Sequence, residues 1–191
     1  MMRIILASGS PRRIELLDQF NIDFDVIPSK IEEVTRPYET PVQAVMALAF
    51  EKANDVANMY PDAVIIASDT IVYKEDILGK PSSRADAKAM LNILNGEEHD
   101  VYTGIALVYK DKNICVIDYE KTTVTFNSLT EEQIEKYLDT NEPLDKAGAY
   151  GIQGIGALLV KKINGDYFNV MGLPLSKLSQ LLEKHFHIDL L

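Results

Sequence analysis

The stretch ILASGSPRRIELL, residues 5–17, runs apolar, then small and polar, then doubly basic, then apolar again. The segment RIILA, residues 3–7, is rich in Ile and Leu and lacks polar alternation, which predicts a short buried strand. Ser10 is a good N-cap and Pro11 suits a first helical position, so a helix is predicted through RRIELLDQF, with Ile14, Leu17 and Phe20 near one face. A strand handing directly to a helix is the unit from which α/β folds are built. Small residues and paired arginines at that handover are also the makings of an anion site, in a chain that is otherwise acidic.

Working outward, DFDVIPS reads as another strand stopped by Pro28, and KIEEVTRPYETP as a polar connection broken by Pro37 and Pro41. A long helix follows in VQAVMALAFEKANDVANMY, where Val45, Leu48, Ala49, Ala53 and Val56 form an apolar stripe. Lys52 falls inside that stripe. An ammonium there either snorkels to water or projects into a charged pocket. DAVIIASDTIVY predicts a mostly buried strand that carries Asp69 past its apolar core, and KEDILGKP a turn or hairpin and then an exit loop. Ser83 and Asp86 offer a capping box for RADAKAMLNIL, which Gly96 ends, and Thr130 and Gln133 offer a second for EEQIEKYL. VYTGIALVY and ICVIDYEKTTVTFN read as antiparallel strands around the turn KDKN. Asn164-Gly165 is a hairpin signal, and LSKLSQLLEKHF a closing amphipathic helix. The fold class is therefore α/β with a mixed sheet rather than an all-parallel one.

Composition sets the frame for function. The 191 residues are 47% hydrophobic, enough for a substantial core and too many for a disordered chain. The formal charge of -10 disfavours broad binding to nucleic acid or anionic membrane, yet permits a local site for a phosphorylated ligand. The single Cys115 allows no internal disulfide and is expected to be a small buried hydrophobe. MMRIILASGS is too soon interrupted for a signal peptide, and no run of about 18 apolar residues occurs. A cytoplasmic protein is expected.

Candidate chemistry is carried by few residues. Ser8, Gly9 and Ser10 let backbone approach a phosphate, and Arg12 and Arg13 reach it with forked donors. The same residues also describe a plain capped helix. Neither GxxxxGK[ST] nor GxGxxG is present. Glu32 and Glu33 sit in a polar loop, where acidic pairs are usually solvated. Asp69 follows VIIAS, and a carboxylate there is either at a strand end, where α/β folds build sites, or buried at high cost. Lys80 is fixed between Gly79 and Pro81. Asp145 and Lys146 precede the glycine run KAGAYGIQGIGA, in which Gln153 has an amide able to read a base edge. His99, His185 and His187 are scattered, so zinc is not expected, and no GxSxG elbow occurs. Carboxylates with arginine and lysine suit phosphoryl or nucleotidyl chemistry.

These runs, taken in order, resemble the Maf family of nucleoside triphosphate pyrophosphatases, also labelled septum formation inhibitors. The matching pieces are ASGSPRRIELL, IEE, EKA, ASDTIV, LGKP, TFNSLTEEQIEKYL, EPLDKAGAYGIQG and KINGDYFNVMGLPL, spread over essentially the whole chain. The resemblance implies a two-lobed fold related to the inosine triphosphate pyrophosphatases (ITPase-like), with a mixed sheet and a central cleft. Residues 1–191 are then a single nucleotide pyrophosphatase domain. It also implies hydrolysis of a nucleoside triphosphate to monophosphate and pyrophosphate with a divalent cation, Mg²⁺ or Mn²⁺. Ser8, Ser10, Arg12 and Arg13 fall on the phosphate-binding motif. Glu33, Lys52, Asp69 and Lys80 fall on the catalytic acidic and basic positions, with Asp69 as proton acceptor and Glu33 and Asp69 on the metal side. Arg12, Thr70 and Gln153 match the branch acting on dTTP and UTP. The neighbouring branch acts on 7-methyl-GTP, and the older family label leaves a non-enzymatic nucleotide-binding regulator of division as a third reading. Ser68 stands where relatives commonly carry Ala. The resemblance suggests a homodimer, and the acidic charge leads to the expectation of no nucleic-acid or membrane partner.

Overall fold

In the computed structural model, residues 2–34, 36, 39–140 and 142–191 are described. Pro37, expected to break the polar connection, lies outside them. The first elements are β1 (Arg3–Leu6), α1 (Pro11–Leu17), β2 (Asp25–Val26), α2 (Pro41–Met59), β3 (Ala63–Lys74) and β4 (Asp76–Leu78). They are followed by α3 (Arg84–Leu94), β5 (Glu98–Tyr109), β6 (Ile114–Phe126), α4 (Glu131–Leu138), β7 (Val160–Asn164), α5 (Tyr167–Met171) and α6 (Leu175–Phe186). The strand order is β2-β1-β3-β5-β6-β7, with β4 paired to β3. β1 runs parallel to β2 and β3, whereas β3–β4 and β6–β7 are antiparallel, so the sheet is mixed.

The chain divides into two compact units. The first comprises residues 1–69, 103–120 and 172–191. Its core sets Ala49, Ala53, Val56 and Ala57 of α2 against Ile5 of β1, Ala63, Ile65 and Ala67 of β3, and Ala106 and Val108 of β5. The small side chains on the helix let it lie close to the sheet. The second unit comprises residues 70–102 and 121–171. Its core gathers Leu91 and Leu94 of α3, Val101, Val124 and Phe126 of the strands, Ile134, Tyr137 and Leu138 of α4, and Tyr150.

Local signals act largely as written. Thr40 and Thr130 each form a reciprocal capping box with the glutamine three residues on, at Gln43 and Gln133. Ser83 accepts from the Asp86 amide, but Asp86 turns to Ser82 instead of returning the bond. Three expectations are corrected. α1 stops at Leu17 and buries Leu16 and Leu17, leaving Phe20 beyond it. Asn164-Gly165 makes no hairpin: β7 pairs back on β6, and the chain turns at Gly165 into α5. A Cβ at Gly165, whose φ is +132°, would meet Thr122 Oγ1 at 2.8 Å, so glycine is needed for a strand-to-helix turn. Cys115 is exposed rather than buried. It is the second residue of β6, next to the turn, and the first unit's core reaches that strand at Ile117. No helix among the described residues is long and apolar enough to cross a membrane.

Candidate active site

The site in the first unit begins where β1 ends. Ser8 is buried, and its Oγ accepts the Ser10 amide at 3.2 Å. Ser10 occupies the N-cap position with extended backbone, but its side chain caps nothing, contrary to expectation. α1 is only seven residues long, so positive charge here comes chiefly from its arginines rather than from a helix dipole. Arg13 Nε donates to the Gly172 carbonyl at 2.7 Å, and Ser68 Oγ donates to the same oxygen at 3.0 Å. That shared carbonyl fixes the root of the guanidinium. Burial lowers the Arg13 pKa most; Asp69 and Glu33 oppose the shift and Arg12 adds to it. Arg13 thus feels all three charged neighbours, and its guanidinium keeps its charge.

Alternation along β3 decides what Asp69 faces. Ala63, Ile65 and Ala67 point toward α2 in the first core, and the period of two puts Asp69 on that same face. Lys52 projects from the α2 stripe that also carries Ala49, Ala53 and Val56. The two therefore meet: Lys52 Nζ lies 2.5 Å from Asp69 Oδ1 and 2.7 Å from Glu33 Oε1. The Lys52 and Asp69 side chains are 11% and 8% exposed, while that of Glu33 is 47% exposed. Lys52 does not snorkel to bulk water. Nor is Asp69 at a strand end, since β3 continues to Lys74. It is buried mid-strand, and its ammonium partner offsets the cost of that burial. Glu32 is exposed, as an ordinary loop carboxylate, whereas Glu33 is drawn onto Lys52.

Thr70, Lys80 and Gln153 belong to the second unit. Thr70 is half-buried on β3, and Lys80 is exposed in the loop after β4. The Gly79 carbonyl of that loop accepts the Gly148 amide at 3.0 Å, tying it to the glycine run. Gln153 holds the N-cap position of a 3-10 segment, Gly154–Leu159. A residue not singled out from the sequence organises this segment. Glu142 accepts the amides of Ile155 and Gly156 on its two carboxylate oxygens, each at 3.1 Å. Lys146 Nζ donates to the Glu142 carbonyl and to Asp145 Oδ1, both at 2.7 Å. Close approach within the run is met by the chain itself: a Cβ at Gly156 would lie 2.2 Å from the Gly151 carbonyl oxygen.

The structure thus joins Glu33, Lys52 and Asp69 directly, with Arg13 and Arg12 in electrostatic range, while Thr70, Lys80 and Gln153 stand in the other unit. The profile of Maf-like proteins matches residues 3–185. The chain belongs to the Maf family. A dTTP/UTP pyrophosphatase of Bacillus cereus (strain AH187) is 52% identical to this Maf chain over 190 residues, covering 99% of it and 98% of the relative. Among solved structures, a HAM1 protein from Coxiella burnetii is similar with a TM-score of 0.51 at 14% identity, over 96% of this chain and all of its own. The Staphylococcus aureus Ham1 protein gives 0.50 at 15% identity, over 98% of this chain and 91% of its own. At such identities the likeness speaks for the mixed α/β fold of this Maf protein.

Proposed function

We propose that this chain is a nucleoside triphosphate pyrophosphatase that converts dTTP and UTP to the nucleoside monophosphate and pyrophosphate. The observation that carries it is the buried Lys52–Asp69 pair, joined by the half-exposed Glu33, beside Arg13. The choice of dTTP and UTP rests on the 52% identity to a protein of that activity and on Arg12, Thr70 and Gln153.

In this reading a water attacks the α-phosphorus. Its oxygen forms the new P–O bond, the bond from the α-phosphorus to the oxygen bridging the β-phosphorus breaks, and pyrophosphate departs. Asp69 takes the water's proton. Ser8, Ser10, Arg12 and Arg13 hold phosphate oxygens; the Gly172 carbonyl keeps Arg13 from swinging away. Lys52 and Lys80 neutralise charge on the departing group. Thr70 and Gln153 read the pyrimidine.

The donor set suits a divalent cation. Mg²⁺ is commonly held by one or two carboxylates completed by substrate phosphates and water, and Glu33 and Asp69 converge on a single point. Among the described residues no cluster of three or more His, Cys, Asp or Glu offers an all-protein cage. Glu33 and Asp69 would hold the ion, which when bound would supply positive charge to the phosphate oxygens.

Purified protein with Mg²⁺ or Mn²⁺ should release pyrophosphate from dTTP and UTP in preference to 7-methyl-GTP and the purine triphosphates. Preference for 7-methyl-GTP would reassign the branch, and nucleotide binding with no turnover under any metal would replace the enzyme by a binding regulator.

A further inference from the structure

We propose that Lys52 occupies the cation position of the Glu33–Asp69 pair in the nucleotide-free protein, so that a divalent ion joins the site with the nucleotide and not before it. The inference rests on the pyrophosphatase reading and adds an order of binding to it.

The first ground is geometric. The Lys52 ammonium bonds both carboxylates, at 2.5 and 2.7 Å, the short range of charge-assisted contacts. A small divalent ion needs those oxygens at about 2.0–2.2 Å, so the ammonium must leave before both carboxylates can turn to it. The second ground is charge. Glu33 and Asp69 bring two negative charges, and Lys52 and Arg13 already balance them; Arg12 makes the group net positive. A divalent ion arriving alone finds both carboxylates already paired, and it meets Lys52 in a place where both cations are poorly screened by water.

A nucleoside triphosphate changes both terms. It carries enough negative charge to reverse the sign of the site, and its oxygens give the displaced ammonium a new partner. Lys52 is suited to such a move: its head is a compact charge on a flexible four-carbon stem, and the stem stays packed in the α2 stripe while the head turns. One residue then serves twice, as stand-in cation without nucleotide and as phosphate ligand with it. This also accounts for a lysine at a core position of α2, where an apolar residue would pack without cost.

Mn²⁺ binding reports the order without any turnover. Water-proton relaxation enhancement rises when Mn²⁺ sits on the protein, and a dTTP analogue with a methylene between the α- and β-phosphorus blocks hydrolysis. The wild-type protein alone should give no saturable enhancement up to about 1 mM Mn²⁺, and a saturable one once the analogue is added. Lys52→Met, which keeps the apolar stem, should bind Mn²⁺ without nucleotide at least about tenfold more tightly than wild type. Equal Mn²⁺ affinity of wild type with and without the analogue would overturn the order of binding and leave the pyrophosphatase reading intact. Absence of protein-bound Mn²⁺ even with the analogue, in a protein that still hydrolyses dTTP, would overturn both the order and the placing of the ion on Glu33 and Asp69. The wild-type comparison stands if Lys52→Met does not fold.

Discussion

His99 lends itself to a quantitative test of the second core. It lies on β5, 3% exposed, edge-on to Phe126 and Tyr150 at ring distances of 5.0 and 5.3 Å. Its Nε2 shares a hydrogen bond of 2.7 Å with the Tyr150 hydroxyl, and its buried Nδ1 has no partner among the described residues. Burial pushes the imidazole down from 6.5 to about 4; Lys74 adds to the effect and Asp100 opposes it. The sign follows. The unfolded chain takes up a proton near the ordinary value and the folded chain only near the depressed one, so between them the unfolded state binds more protons. Stability is therefore full above the ordinary pKa and falls as pH drops toward the depressed one. At about 1.4 kcal/mol per unit the complete loss is roughly 3 kcal/mol, of which about 2 kcal/mol is gone by about pH 5. The perturbation is His99→Phe, which keeps a ring among rings but cannot titrate. Leaving the Tyr150 hydroxyl without its partner costs about 1–3 kcal/mol at every pH, so the variant is less stable near neutrality but less sensitive to acid. Urea unfolding followed by circular dichroism at about pH 8 and about pH 5, on both proteins, gives the difference of differences. A value near 2 kcal/mol supports the account. Equal acid sensitivity in the two proteins would refute it, since carboxylate titrations common to both cancel.

Replacing Asp69 by Asn keeps shape and polarity but removes the proton acceptor; turnover of dTTP should fall at least about 100-fold in a pyrophosphate-release assay. Glu142→Ala removes the acceptor of two backbone amides, and urea unfolding should show a loss of about 1–2 kcal/mol, with Glu142→Gln recovering part of it.

The Lys52–Asp69 pair obeys two periodicities, of which only the helical one was read from the sequence. The helical stripe placed Lys52 beside Ala49 and Ala53, and the alternation of β3 puts Asp69 in line with Ile65 and Ala67. Their meeting is the product of both. Of the two readings open for Asp69, strand end or costly burial, the second holds, because Lys52 offsets the burial and β3 runs on to Lys74. Glu142 was illegible for a different reason. A capping residue is normally read directly ahead of its helix, but this carboxylate reaches the Gly154–Leu159 segment from across the glycine run. His99 gave no signal either, because its burial depends on Phe126 and Tyr150, both distant in sequence. The expectation for Cys115 followed the usual habit of its residue type, which its place at the start of β6 overrode.

The central claim is attack of water on the α-phosphorus, and hydrolysis of dTTP in ¹⁸O-labelled water reads it directly. Mass spectrometry of the products should find one ¹⁸O in the thymidine monophosphate and none in the pyrophosphate. Label in the pyrophosphate, or orthophosphate as the first product, would contradict the account.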